Sequence, residues 1–528
     1  VKGRSATPPV GNLFTDSYSN VNSIFHYNYP FQTWGSLKSW YCDTRVETKY
    51  WTSAVTIISI LWHYPCISNW CGGWPSMFAE TAEFHAWYAE RCRAQKYRTG
   101  KISLDQLNGW IIDPDSGNLV HHTGKFFTVE GLEVTRSGRA VEAWQQPIII
   151  QPERGVLGIL VKEFHGVPHC LLQVKMEPGN VNGLQLSPTV QATRSNFTGV
   201  HGGKPVPYLE YFAAPRPGRV LADVLQSEQA SWFLAKRNRN IIVQVEDEVP
   251  VLEDFCWLSF DQIDELLRVP NLINMDTRTV LSGAASRRLQ DADLSADNFR
   301  GALARSWSPE GHSLHATVEL LSWFTEAKGR CTLTRRLIPL SKVDGWSYRD
   351  GELTHDRDQH FAVVGVDVQT SNREVSGWQQ PMFEPRSQGV IAFLIRRING
   401  VVHLLVQART ETGAFDGVEM APTVQCQPEN YHHLPDDSKP LFLDEVLAAP
   451  RERIRFDAIH SEEGGRFYHA QNRYLLIEVE DDFPLEVPEN YMWATLRQLT
   501  EFVQYGNHLN VEARILLAFF GFYKEDDQ

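Results

Sequence analysis

The residues best suited to holding an oxygen-rich ligand sit together at Thr193-Arg194-Ser195-Asn196-Phe197, the end of a polar stretch over residues 185–196. Hydroxyls and amides offer short directional donors and acceptors, and a guanidinium forks onto phosphate oxygens. A second group of cations, Lys236, Arg237 and Arg239, falls within Lys236-Arg237-Asn238-Arg239-Asn240. Together they predict a pocket for a pyrophosphate-bearing molecule, anchored by Arg194 and by Arg237 or Arg239. Trp110 and Trp346 each follow a glycine, a setting in which an indole stacks on a base or sugar, or packs its own domain. The acid–base candidates are His121, His122, Glu177, Glu228, Glu246 and Asp276, of which Glu177 and His122 are carried forward as the catalytic pair. The plainer alternatives are a surface loop for the polar stretch and a solvated face for the basic one.

These residues are positioned by a unit written twice. Trp144-Gln145-Gln146-Pro147 recurs as Trp378-Gln379-Gln380-Pro381, an offset of 234 that also pairs Gly131 with Gly365, His169 with His403, and Asn238-Arg239 with Asn472-Arg473. Near both ends the offset becomes 236, as for Trp87 with Trp323 and Arg278 with Arg514. So many identities at nearly one spacing make a tandem duplication. The second copy is an internal control. It keeps the frame Pro188-Thr189-Val190-Gln191 as Pro422-Thr423-Val424-Gln425, but has Pro428 for Arg194, Ala470 for Lys236 and Gln471 for Arg237. The joint loss of three cations points to a binding site kept in the first copy and decayed in the second.

Each copy reads as an opening helix around Phe84 and Trp87 or Leu320 and Trp323, followed by short Val- and Ile-rich strands. Asn399-Gly400 is a two-residue hairpin signal. A helix is expected over residues 220–233 and a strand over 241–245. A closing helix is expected to start at Ser259 or Thr495, each able to cap it. The stretch 283–307, rich in Ala, Ser, Arg and Asp, reads as a linker. The expectation is an α+β chain of two tandem domains with mixed sheets and flanking helices, over residues 77–290 and 305–528.

Residues 1–76 stand apart, with only eight Asp, Glu, Lys or Arg and no sustained periodicity. The first Met is Met77. The abrupt change of composition predicts that translation naturally begins there and that 1–76 is a non-native or disordered extension. A formal charge of -14 argues against nonspecific binding to nucleic acid or anionic membrane. Eight cysteines without a CxxC pair or a Cys/His cluster give no disulfide framework and no metal site. A reducing cytoplasm is therefore expected. Dinucleotide, P-loop and elbow-serine motifs are missing, so no cofactor is expected.

The strings QLSPTVQATRSN (185–196), LQSEQASWF (225–233), KRNRN (236–240) and NMDTRTV (274–280) resemble the NDP-hexose 2,3-dehydratase family of bacterial deoxysugar pathways. The resemblance runs from about Met77 to the C-terminus and includes the duplication. It implies two Nudix-like domains per subunit, a homodimer, and a dTDP-4-keto-6-deoxy-hexose as substrate, bound without a catalytic metal. It further implies two nucleotide-sugar pockets, one active and one a remnant, and a 3-ketoreductase acting on the product. Two rivals are a Nudix-type hydrolase of nucleotide-sugar pyrophosphates, whose Glu-rich metal box is missing from the sequence, and a nucleotide-sugar binding protein without turnover.

Overall fold

Ser259 and Thr495 open the same helix in the two copies, as their side chains dictate. Each hydroxyl accepts from the backbone N–H three residues on, Gln262 at 3.2 Å and Gln498 at 3.4 Å. Each glutamine reaches back to the cap's own N–H at 2.9 Å, completing a capping box. The helices so started, Phe260–Leu267 and Leu496–Val503, bury their apolar stripes. The computed structural model describes residues 77–520, apart from 137–142, 195–204, 214–216, 288–292, 372 and 436–437. Residues 1–76, expected to be an extension, lie outside the described residues. Those described belong to one compact unit, and none of their helices is long and apolar enough to cross a membrane.

Among the described residues, four sheets carry the mixed α/β fold, two of five strands and two of seven. In the first copy's larger sheet, strand Arg237–Val245 runs parallel to Val156–Phe164, while the other neighbours pair antiparallel. The second copy repeats this with Gln471–Glu478 parallel to Gly389–Ile398. Central strands such as Gly389–Ile398 are apolar on both faces because helices and other strands cover both. Asn399 and Gly400 turn the hairpin with φ of 52° and 75°, the left-handed geometry their types tolerate.

The smaller sheets are built from both copies. Strand Tyr97–Ile102 of the first copy pairs with Phe361–Thr370 of the second. Strand Thr334–Ile338 of the second pairs with Thr128–Thr135 of the first. The glycine pair kept at the 234 offset allows this exchange. A Cβ on Gly131 would lie 2.8 Å from the Ile338 carbonyl oxygen, and one on Gly365 would lie 2.6 Å from that of Ile102. The largest apolar core is likewise continuous across the copies, from Phe84 and Trp87 to Phe519 and Phe520.

Two expectations are corrected. Residues 219–227 form a strand, Arg219–Ser227, paired with Arg237–Val245 rather than a helix. A bulge between Val220 and Ala222 puts its apolar residues out of strict alternation, which imitates helical spacing. The end of the expected linker is a packed helix, Phe299–Trp307. It buries Phe299 and Leu303, and its Ser306 Oγ donates to the Val402 carbonyl at 2.6 Å.

Candidate active site

A loop that crosses from one copy to the other builds the site. The segment after strand Val167–Met176 carries Gly179, whose N–H donates to the Gly464 carbonyl at 2.7 Å. The Gly179 carbonyl accepts from the His469 N–H at 2.8 Å. A Cβ on Gly179 would lie 1.8 Å from the Phe467 carbonyl oxygen, so only glycine permits the approach. Gly413 makes the mirrored contacts with the Ala230 carbonyl and the Ala235 N–H. Residues 462–469 of the second copy are thereby pressed onto the first, and a cavity of about 380 Å³ opens where they meet.

Carboxyls and cations crowd this cavity. Glu177, Glu228 and Asp276 of the first copy share its wall with Glu463 of the second. Lys236 of the first faces Arg373 and Arg466 of the second. Burial pushes the Glu463 carboxyl up to about 7 against the pull of Arg466, with Glu177 and Glu228 adding to the rise. Burial also raises Glu228, against Arg514 and Lys236. It raises Asp276 well above the usual range, helped by Glu228, Glu177 and Glu463. Lys236 is brought down to about 8 by burial, which outweighs the Glu228 charge. At the rim, burial of Glu374 is overcome by Lys175 and Arg373, which hold it at about 2. Groups moved toward neutrality where they line a shared cavity are suited to proton transfer near neutral pH.

The expected site residues divide sharply. Lys236, Glu177, Thr193 and Trp110 line the cavity. Lys236 also donates to the Glu153 carbonyl, and Trp110 Nε1 donates to the Gln379 carbonyl at 2.8 Å. Arg194 is the next residue after Thr193 and is exposed. Ser195, Asn196 and Phe197 lie outside the described residues. Trp346 is at the mirrored position, with Nε1 donating to the Gln145 carbonyl at 3.2 Å. Arg237 and Arg239, expected on phosphate, are otherwise engaged. Arg237 lies 4.3 Å over the Phe415 ring, and Arg239 is forked onto Asp223. The Arg239 pair recurs as Arg473 on Asp457, so it belongs to the frame. His122 points away, its Nδ1 2.9 Å from the Gly109 carbonyl oxygen, and the neighbouring His121 takes the cavity wall.

Glu177 is held as part of the frame too. Its Oε1 accepts from Gln191 at 2.6 Å and its Oε2 from Asn274 at 3.2 Å. Glu411 of the second copy accepts from Gln425 at 3.0 Å, and Asn510 bonds that glutamine at 2.7 Å. The residues that distinguish the cavity are those the other copy lacks. At the 234 offset Glu463 corresponds to Gln229, Arg466 to Trp232 and Lys236 to Ala470. Only Lys236 is found by looking for cations lost from the second copy. Glu463 and Arg466 are charges that the second copy holds and the first lacks, and the same offset read in the opposite direction reveals them.

The chain resembles known proteins in sequence over both repeats. The profile of the family described as NDP-hexose 2,3-dehydratase matches residues 81–283 and again 317–520, the two copies that frame the cavity. A dTDP-4-dehydro-6-deoxy-alpha-D-glucopyranose 2,3-dehydratase of Streptomyces violaceoruber is 53% identical over 443 residues, covering 83% of this chain and 96% of its own. A protein of the same name from Saccharopolyspora spinosa is 52% identical over 441 residues, covering 83% of this chain and 90% of its own. One from Amycolatopsis orientalis is 48% identical over 443 residues, with 83% and 89% covered. With both copies matched and identity near half along most of its length, the chain belongs to the NDP-hexose 2,3-dehydratase family.

Proposed function

We propose that this chain removes water across C2 and C3 of a dTDP-4-keto-6-deoxy-glucose, leaving a dTDP-3,4-diketo-2,6-dideoxy sugar. The observation that carries the reading is the cavity where the two copies meet, with carboxyls raised toward neutrality beside Lys236, Arg373 and Arg466. The C4 ketone acidifies the C3 hydrogen, and the C2 hydroxyl is β to the resulting carbanion. The protein must supply a base, an acid and cations for the enolate oxygen. No net oxidation occurs, so the chemistry requires no nicotinamide.

Thr193 on the wall and Arg194 beside it are the proposed holders of the diphosphate end, and the Trp110 ring faces the sugar or base. The product carries a new 3-ketone, which a 3-ketoreductase takes next. The reading also proposes residues 77–290 and 305–528 as the duplicated units, each of Nudix-like lineage, two copies of the chain per molecule, and action in the cytoplasm. The test is incubation with dTDP-4-keto-6-deoxyglucose followed by mass spectrometry. Loss of one water from the sugar is expected. Release of dTMP, or unchanged sugar despite binding, would overturn the reading.

A further inference from the structure

The two copies place one glutamate and one glutamine at equivalent points, and this difference isolates a single group. In the second copy, Glu462 is the counterpart of Glu228. Asn472 donates to its Oε1 at 2.7 Å, just as Asn238 donates to Glu228 Oε1 at 2.8 Å. The remaining oxygen of Glu462 accepts from Gln229 Nε2 at 2.8 Å, an ordinary amide–carboxylate bond across the copies. In the cavity the counterpart of Gln229 is Glu463, which has no amide hydrogen to give. Oε2 of Glu228 and Oε2 of Glu463 are accordingly both shut off from solvent without a hydrogen-bond donor among the described residues. Two carboxyls therefore stand where the mirrored half has a donor and an acceptor, an arrangement that a proton held on one of them relieves.

Resting on the dehydratase reading above, we propose that Glu463, delivered from the second copy and facing Glu228, is the catalytic residue that takes the C3 proton and returns it to the departing C2 oxygen. In a gluco-configured ring the C3 hydrogen and the C2 oxygen lie on one face, so one carboxyl serves both transfers. Glu463 as carboxylate removes the C3 proton, and the C–H electron pair becomes the enolate with its charge on the C4 oxygen. The enolate reforms the C4 ketone, the C2–C3 double bond forms and the C2–O bond breaks. The oxygen leaves as water, carrying the proton Glu463 had taken. The C2–C3 enol then gains a proton at C2 and gives up the one on its C3 oxygen, with no change of oxidation level. Glu463 titrates among Arg466, Lys236, Glu228 and Glu177, with Asp276, Glu153 and Arg373 next to those groups. Burial and the like charges of Glu177 and Glu228 set it near neutrality.

The test is Glu463→Gln in the full chain, which recreates the amide–carboxylate bond the mirrored half already has and so preserves the fold. Turnover of dTDP-4-keto-6-deoxyglucose is expected to fall by about 10²–10⁴-fold, the usual range for losing a positioned acid–base group. Binding of the same sugar nucleotide, followed by calorimetry, should stay within about threefold, since the loss is confined to the chemical step. In the parent enzyme kcat/KM should be lost as pH falls through about 7, where Glu463 protonates, and the variant should lack this limb. Glu463→Asp, one methylene shorter, should keep the limb at reduced rate and serves if the glutamine variant precipitates. If the parent releases no water from this sugar, the functional reading itself fails. If the parent does so while Glu463→Gln stays within about tenfold and keeps the acid limb, the assignment of Glu463 fails.

Discussion

At the scale of single residues, the two arginines expected on phosphate, Arg239 and Arg194, separate by where they stand. Arg239 is forked onto Asp223 at a half-exposed position, and the second copy repeats the pair. Exposed pairs of this kind contribute about 0–1 kcal/mol. Arg239→Ala should therefore leave KM for the sugar nucleotide within about threefold and stability nearly unchanged. Arg194→Ala removes a proposed phosphate fork, and hydrogen bonds to charged groups are worth about 1.5–3 kcal/mol, so KM should rise by about 10- to 100-fold. Steady-state kinetics of the two variants side by side decide the matter. Equal effects would remove Arg194 from the site.

At the scale of elements, the loop contact at Gly179 decides whether the cavity exists. A methyl there would press on the Phe467 carbonyl and force residues 462–469 away, at the cost of about 1–3 kcal/mol typical of overpacking. Gly179→Ala should lose most of its turnover while unfolding as a soluble, cooperative chain a few degrees below the parent, measured by circular dichroism. Unimpaired turnover would show that the loop tolerates displacement. This element also marks how far the sequence can be read. The caps at Ser259 and Thr495 and the hairpin at Asn399-Gly400 are legible because local chemistry alone decides them. The strand Arg219–Ser227 is not, since its bulge erases the alternation that identifies strands. The exchange of Tyr97–Ile102 for Thr334–Ile338 is not legible either, because the duplicated frames offer each strand two similar edges. Lys236 could be found from the cations that the second copy lost. Glu463 was hidden in the half that the same comparison marked as decayed.

At the scale of the molecule, neither copy is self-sufficient. Each small sheet borrows a strand, the largest core runs through both halves, and Arg278 and Arg514, both fully buried, reach across to the Ser461 and Ser227 carbonyls. A chain carrying residues 77–290 alone lacks the strand Thr334–Ile338 that edges Thr128–Thr135 and every second-copy residue of the cavity. It should be poorly folded and inactive, while co-expression with residues 291–528 restores both properties. Size-exclusion chromatography and the dehydration assay together check this, and an active 77–290 fragment would refute it.

The loop contact at Gly179 also bears on how such a gene can change over generations. After a duplication the spare half is ordinarily free to erode or be deleted. Here the half that carries Pro428, Ala470 and Gln471 opposite Arg194, Lys236 and Arg237 still furnishes Glu463 and Arg466 to the cavity, so with Glu463 in its proposed role deleting that half would silence the gene. The redundancy created by the copying event has become a dependency, and selection on one pocket now guards both halves of the coding sequence.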